Sequence, residues 1–447
     1  MSSDALPLPE EIHNPRAAWR NPDFTLFQCS RIFSIVATQA SIVAIGSQVW
    51  DITKNPLDLG FIGLSLFLPM FLLAPITGLV ADRHDRRNVV RVCQLGIFIS
   101  SILLAVLGFF RVSTAIPIFA VLLLQGTSRA FWGPASQGLL PLLVPQKDLQ
   151  NAVVWNSIVF QFGTIAGPGI GGLMLLLATF DGIEHYEVVY CMSAVLMLGA
   201  MICIRRMTIR PGSLEKEAIS WETVIAGVKY ILQRKILLGA MSLDLFAVLL
   251  AGATALLPAF AKDILGVGSW GLGVLRASMG AGAALTAFAL TYAPPLRNPG
   301  MLMFLCVAGF GISTVVFGIS DIFWVSIVAL VLMGIFDMVS VVIRQTLVQT
   351  LTPKAMLGRV NAVNLIFVGA SNELGEFESG ITASWFGIAN SVIIGGIGSI
   401  VITFIWALLF PTLRNYTGKE PLAVEGEPTE TQKAIDEAEK KLPTATG

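Results

Sequence analysis

Charge is scarce in this chain. Only 13% of the 447 residues are Asp, Glu, Lys or Arg, and the 29 basic residues cancel the 29 acidic ones. A soluble domain carries about 25%. With no net charge there is no bulk basic field to hold nucleic acid. Histidine is rarer still, at three residues, and the five cysteines, Cys29, Cys93, Cys191, Cys203 and Cys306, fall singly in apolar runs. Their spacing fits neither a metal site nor a disulfide framework. No metal or other cofactor is therefore expected, and the thiols read as small buried hydrophobes. No Ser-His-Asp set or phosphate-binding loop stands out, which argues against an enzyme. The first 22 residues are polar and carry prolines, without the apolar stretch of a cleaved signal peptide. The first long apolar run is then expected to direct insertion.

What is present is apolar: 55% of the residues are hydrophobic. The runs suit an all-α membrane protein with twelve transmembrane helices, each about 20 residues, the length a hydrocarbon core of about 30 Å requires. The expected spans are 24–50, 57–80, 88–110, 115–140, 151–178, 187–205, 236–261, 270–293, 300–319, 322–348, 358–386 and 389–411. Lys and Arg crowd into one alternate set of connections, whereas the other set holds only Lys54, Arg111 and Lys262. That asymmetry predicts both termini on the cytoplasmic side of an inner or plasma membrane. The expected organisation is a cytoplasmic segment 1–22, a six-helix bundle 23–205, a linker 206–235, a second six-helix bundle 236–411 and a cytoplasmic tail 412–447. Within the linker, Trp221, Val224, Ile225, Val228, Ile231 and Leu232 recur at helical spacing, which predicts an interfacial helix beneath the bundles.

Between the second and third spans stands Gly78-Leu-Val-Ala-Asp82-Arg83-His-Asp85-Arg86-Arg87. A polar stretch between two spans must be a tight aqueous turn. Gly78 allows close helix approach. Asp82 can face an arginine or a helix N-terminus, and Arg83, Arg86 and Arg87 can hold acids or backbone carbonyls at the membrane lip. The spacing G-x-x-x-D-R-x-x-R-R resembles the signature loop of the major facilitator superfamily of transporters, although that pattern usually has glycine at the place of Asp85. The resemblance implies two pseudo-symmetric six-helix bundles that rock about a central cavity, with these five residues as the conformational-switch motif.

The two halves of the chain repeat one another. Gly126-Thr-Ser-Arg129 through Gln137 and Asn151-Ala-Val echo Gly334-Ile-Phe-Asp337 through Gln345 and Asn361-Ala-Val. Trp50-Asp51-Ile52 likewise stands opposite Lys262-Asp263-Ile264. A parallel repeat of this kind relates the halves of facilitator transporters. It sets Arg31 and Arg129 of the first half at the places of Asp244 and Asp337 in the second. In the superfamily the helices that carry these residues line the cavity. Charges inside a membrane are costly and face a partner or water, so Arg31 is expected to face Asp244, and Arg129 to face Asp337, when the cleft is closed on the cytoplasmic side. The eleventh span adds Glu373 and Glu376, three residues apart on one helix face. Carboxylates at that depth suit proton carriage or helix pairing with arginine. The fifth span answers with Gly163, Gly167, Pro168, Gly169, Gly171 and Gly172, which reads as a close helix crossing.

Arg31-Ile-Phe-Ser-Ile-Val36, Leu79-Val-Ala-Asp-Arg83 and Pro353-Lys-Ala-Met-Leu-Gly-Arg359-Val-Asn361 resemble the enterobactin-exporter branch of the superfamily, over most of residues 20–410. The resemblance implies export of a small amphipathic, siderophore- or drug-like molecule by proton antiport, with the chain acting as a monomer in the bilayer. Lipid flipping, or a transport-inactive scaffold, are the other functions open to the same fold.

Overall fold

The first two long helices begin in the same way. Asn21 and Asn55 accept through their side-chain oxygens the N–H two residues on, at 3.0 and 3.1 Å, and each is followed by proline. Proline suits the first helical position because its missing N–H has no intrahelical partner there anyway. The computed structural model describes residues 17–180, 182–208, 221–292 and 297–418.

Six helices form the first bundle: α1 (Pro22–Thr53), α2 (Pro56–Arg83), α3 (Arg86–Phe109), α4 (Ile116–Leu139), α5 (Leu149–Leu177) and α6 (Tyr186–Arg206). A two-stranded hairpin, β1 (Thr179–Phe180) with β2 (Ile183–Glu184), joins the last two. The linker helix α7 (Trp221–Gln233) follows. The second bundle holds α8 (Lys235–Leu250), the short α9 (Leu257–Ala259), α10 (Gly268–Tyr292), α11 (Pro299–Ile319), α12 (Phe323–Leu351), α13 (Lys354–Phe386) and α14 (Ile388–Leu409), closed by α15 (Pro411–Arg414). Among the described residues ten helical stretches are long and apolar enough to cross a bilayer, with Lys235–Ile264 taken as one. The other two crossings are α4, diluted by Gln125 and Arg129, and α13, diluted by Glu373, Glu376 and Glu378. Both pack in the bundles like the rest, α4 on α2 and α3, α13 on α2 and α8. Twelve spans result.

The described termini and α7 lie at one end of the molecule, the near end. The connections around 54, 111, 181, 266, 321 and 387 lie at the far end. Two seams join the bundles, α2 on α13 and α5 on α10. Glycine makes both close. A Cβ on Gly172 of α5 would stand 2.8 Å from the Cα of Gly273 on α10, and one on Gly60 of α2 would stand 3.1 Å from the Cα of Phe377 on α13. The glycine-rich stretch of the fifth span is thus a crossing surface, as its composition implies.

The seventh span departs from expectation. Instead of one helix over 236–261, α8 stops at Leu250, a 3₁₀ turn covers Ala253–Leu256, and a π-helical turn covers Phe260–Ile264 after α9. Pro258 explains part of the break, because without an N–H it cannot donate to the carbonyl of Thr254, which accepts the tighter 3₁₀ bond of Leu257 instead. Contact explains the rest: Gly252 lies against the backbone of Gly375 on α13, and Pro258 fills the space beside Gly46 of α1. Irregular backbone at membrane depth is tolerated where protein surrounds it.

The linker helix packs beneath the second bundle. The hydroxyl of Tyr230 donates to the carbonyl of Leu351 at 3.0 Å, and Ile231 is buried while Lys229 is exposed. The side chains of Trp221 and Val224 lie outside the described residues, as does the tail beyond 418.

Candidate functional site

At the near end α2 runs to Arg83 and a short turn leads into α3. The side chains of Gly78, Asp82 and Arg83 lie outside the described residues. The other members of the motif act within their own bundle. Asp85 replaces the usual glycine for a local reason: its carboxylate caps α3 by accepting the N–H of Arg87 at 2.9 Å. Arg86 donates to the carbonyl of Gly138 at 2.7 Å, and Arg87 to the carbonyls of Ile204 at 3.1 Å and Arg205 at 2.7 Å. Those carbonyls end α4 and α6, where no helical N–H remains to satisfy them and the helix dipoles favour a cation. Two arginines therefore tie the start of α3 to two neighbouring helix ends.

The pairs expected between Arg31 and Asp244 and between Arg129 and Asp337 belong to a state closed at the near end, and in this structure, closed at the far end, the four charges have other neighbours. Asp244 on α8 is bridged at 3.3 Å by Arg344 on α12, with both side chains almost fully buried. Arg344 also donates to Oδ1 of Asn364 at 2.9 Å. Asp337 lies within electrostatic reach of Asp244 and Arg344, so one arginine serves two aspartates. The physical reason is proximity. These residues belong to neighbouring helices of one bundle, whereas an Arg31–Asp244 pair must cross the cleft. Arg31 itself is 7% exposed, and its guanidinium lies 5.8 Å from the Phe27 ring centre and 5.7 Å from that of Trp132. Cation–π contact supplies part of what a carboxylate would.

Arg129 has a different neighbour from the one expected. It is half-buried on α4, and its field reaches Glu373 on α13. Glu373 in turn feels Glu376 and Arg276, a residue of α10 to which the sequence assigned no role. Arg276 donates to the carbonyl of Thr254 at 3.4 Å, while the hydroxyl of Thr254 donates to Glu376 Oε1 at 3.3 Å. The other carboxylate oxygen of Glu376 occupies the notch at Gly63 on α2, where a Cβ would come within 2.9 Å of it. Two acids and two arginines thus converge from both bundles on the broken stretch of the seventh span. Glu378 points elsewhere and accepts from Thr382 at 2.6 Å. Arg276 and Arg344 each stood out as single cations in apolar runs, and that isolation was the available signal.

A second charged constellation seals the far end. Lys262, in the π-helical turn, donates to Asp51 of α1 and Glu184 of β2, each at 2.8 Å. The Tyr186 hydroxyl also bonds Asp51. Asp263 accepts from Trp50 Nε1 at 3.2 Å and lies 3.6 Å from Lys54. Beneath them the hydroxyls of Ser47 on α1 and Ser269 on α10 are 2.8 Å apart. Every one of these contacts except Tyr186–Asp51 joins the first bundle to the second. Contacts of the two seams continue from there to mid-depth, where Met70 of α2 lies against Gly369 of α13. The far end is the closed one.

The profile of the family described as transmembrane secretion effector matches residues 14–428. Enterobactin exporter EntS of Salmonella choleraesuis (strain SC-B67) is 23% identical over 414 residues, which cover 91% of this chain and 96% of the exporter. Its counterpart in Escherichia coli (strain K12) is 24% identical over 404 residues, covering 90% and 95%. Several solved transporters share the fold. A bacterial homologue of the human lysosomal transporter Spinster, inward-facing and occupied, superposes with a TM-score of 0.69 at 14% identity, covering 89% of this chain and 97% of its own. A D-xylose–proton symporter gives 0.69 at 11% identity, covering 88% and 99%.

Proposed function

The chain belongs to the transmembrane secretion effector family of major facilitator transporters, and from that premise we propose that it exports a small amphipathic, siderophore- or drug-like compound in exchange for protons. It is an integral membrane transporter and not an enzyme. The enterobactin exporters it is similar to support export as the direction. The excess of Lys and Arg at the near end supports a cytoplasmic position for that end and both termini, and on that reading the state described is sealed outward.

The convergence of Glu373, Glu376, Arg276 and Arg129 at the break in the seventh span is the observation that carries the antiport reading. A proton taken up by either acid cancels the attraction that draws Arg129 of one bundle toward the other. A basic or hydrogen-bond-donating group of the compound, offered to Glu373 or Glu376, competes with the proton for the same carboxylates. Proton and compound therefore exclude one another at one set of residues, and each biases the rocking equilibrium by its differential affinity for the two states. Asp244, Asp337 and Arg31 line the nearer part of the same path. Each chain holds both bundles, and we read the monomer as the working unit.

The test uses purified full-length protein in vesicles with an imposed pH gradient, screened against siderophores, dyes and lipids. Antiport predicts accumulation that collapses when a protonophore removes the gradient. Accumulation indifferent to the gradient would overturn it, and movement confined to lipids would replace export of a soluble compound by lipid flipping.

A further inference from the structure

The outer wall of the first bundle carries a groove that transport does not use. It lies at the near end between α3 and α6, has a volume of about 590 Å³, and is lined by Arg91, Leu198, Met201, Ile202 and Arg205. Its composition changes along its length. Arg91 stands one turn into α3 and Arg205 in the last turn of α6, so both guanidinium-bearing residues occupy the rim. Leu198 and Ile202 rise from there on the same face of α6, and the eight residues from 198 to 205 span about 10 Å of helix.

The surrounding surface faces hydrocarbon. On α3 the exposed Val92, Leu95, Ile99, Ile102 and Val106 recur every three to four residues, and on α6 Val195, Leu198 and Ile202 do the same. Both helices pack against each other and against α4 and α1 of their own bundle, which leaves these stripes to the acyl chains. The rim is strongly positive. Arg91 donates to Asn88 at 3.0 Å and reaches the carbonyl of Arg205 at 3.5 Å, while its Nε is buried without a partner. Among the described residues the fields that act on it come from Arg87, Arg205 and a single acid, Asp85. Asp85 is already committed to capping α3, and Arg87 to the carbonyls of α6. Among the described residues the positive charge of Arg91 and Arg205 is therefore left without a matching anion.

We propose that this groove binds an anionic phospholipid, with its phosphate between Arg91 and Arg205 and one acyl chain along Leu198, Met201 and Ile202. Charge selects the headgroup. A zwitterionic lipid would bring its own cation toward two guanidinium groups, whereas a phosphatidylglycerol brings none. The apolar wall selects a lipid over a free phosphate, because a soluble anion leaves that wall uncovered.

Full-length protein in mixed micelles, with bound lipid counted by native mass spectrometry, tests this directly. Phosphatidylglycerol should be retained in preference to phosphatidylcholine, and each of Arg91→Gln and Arg205→Gln should lower that preference about fivefold. Leu198→Trp keeps both charges and fills the groove, so it should displace the lipid as well. It covers the case in which an arginine variant fails to fold. Equal retention of the two lipids by the unaltered protein would overturn the proposal, as would a preference that survives all three substitutions. Displacement of phosphatidylglycerol by millimolar inorganic phosphate would show a phosphate site rather than a lipid site and would equally overturn it.

Discussion

Replacing Lys262 by glutamine removes the cation that two carboxylates of the first bundle share. The side-chain exposures are 11% for Lys262, 16% for Glu184 and 37% for Asp51, so the site lies between a solvated ion pair and a buried one. Exposed pairs contribute about 0.2–1 kcal/mol, and stripping one partner from a buried pair costs about 3–5 kcal/mol. An intermediate cost of about 2 kcal/mol falls on the sealed state, because in the opened state Lys262 and its acids are hydrated separately. That corresponds to a factor of about 30 in the equilibrium between sealed and open far ends. Spin labels at Ser113, between α3 and α4, and Asp321, between α11 and α12, report the separation of the bundles at that end, on a background in which the five free cysteines are replaced. Double electron–electron resonance should show one short distance in the unaltered protein and a second, longer population in Lys262→Gln. Lys262→Glu places three acids together and should make the longer population dominant. An unchanged distance distribution in both variants would refute the latch.

The glycine seam can be tested with the same labels. A methyl on Gly273 would meet the carbonyl oxygen of Pro168 at 2.6 Å and the Cα of Gly172 at 2.8 Å, so Gly273→Ala should part α5 from α10 at a cost of about 1–3 kcal/mol and lengthen the far-end distance. Arg344→Leu leaves Asp244 buried without its counter-ion and should cost about 3–5 kcal/mol, read as a fall in melting temperature in detergent. Adding Asp244→Leu should recover most of that loss, and a double-mutant cycle without coupling would contradict the pair. Glu376→Gln keeps an acceptor for Thr254 but not the charge. Gradient-driven accumulation should drop at least about tenfold while binding of the compound in detergent persists, and an intact gradient response would move the coupling to Glu373 or elsewhere.

Some of this organisation was legible in the sequence because a bilayer imposes a length. The second span, expected at 57–80, is Pro56–Arg83, and the ninth, expected at 300–319, is Pro299–Ile319. Helix ends extend into the headgroup region, which hydropathy does not mark. The break in the seventh span left no such trace. Residues 236–261 carry a single charge, Asp244, well before the break, and Gly252 and Pro258 are each residue types that membrane helices tolerate. What decides the break is Gly375 of α13 and Gly46 of α1, which stand far away in the chain.

The internal repeat explains both the success at the far end and the difference among the cavity charges. A pseudo-symmetric pair of residues can touch only close to the axis that relates the two halves. Trp50-Asp51 and Lys262-Asp263 satisfy that condition at the sealed end, and there the matched ends of the first and seventh spans interlock. Arg31 and Asp244 are equally well matched by the repeat, but they lie toward the near end, away from the contacts that hold the bundles together. Asp244 therefore takes the nearest cation in its own bundle. That cation carries a local signature of its own, since Asp337 and Arg344 are seven residues apart on α12 and so lie on one helical face two turns apart. A charge pairing within one helix and its neighbours is fixed by folding, whereas a pairing across the cleft exists only in the state that brings the bundles together at that level. The same distinction separates Arg344, whose loss should lower stability, from Lys262, whose loss should change which end is open.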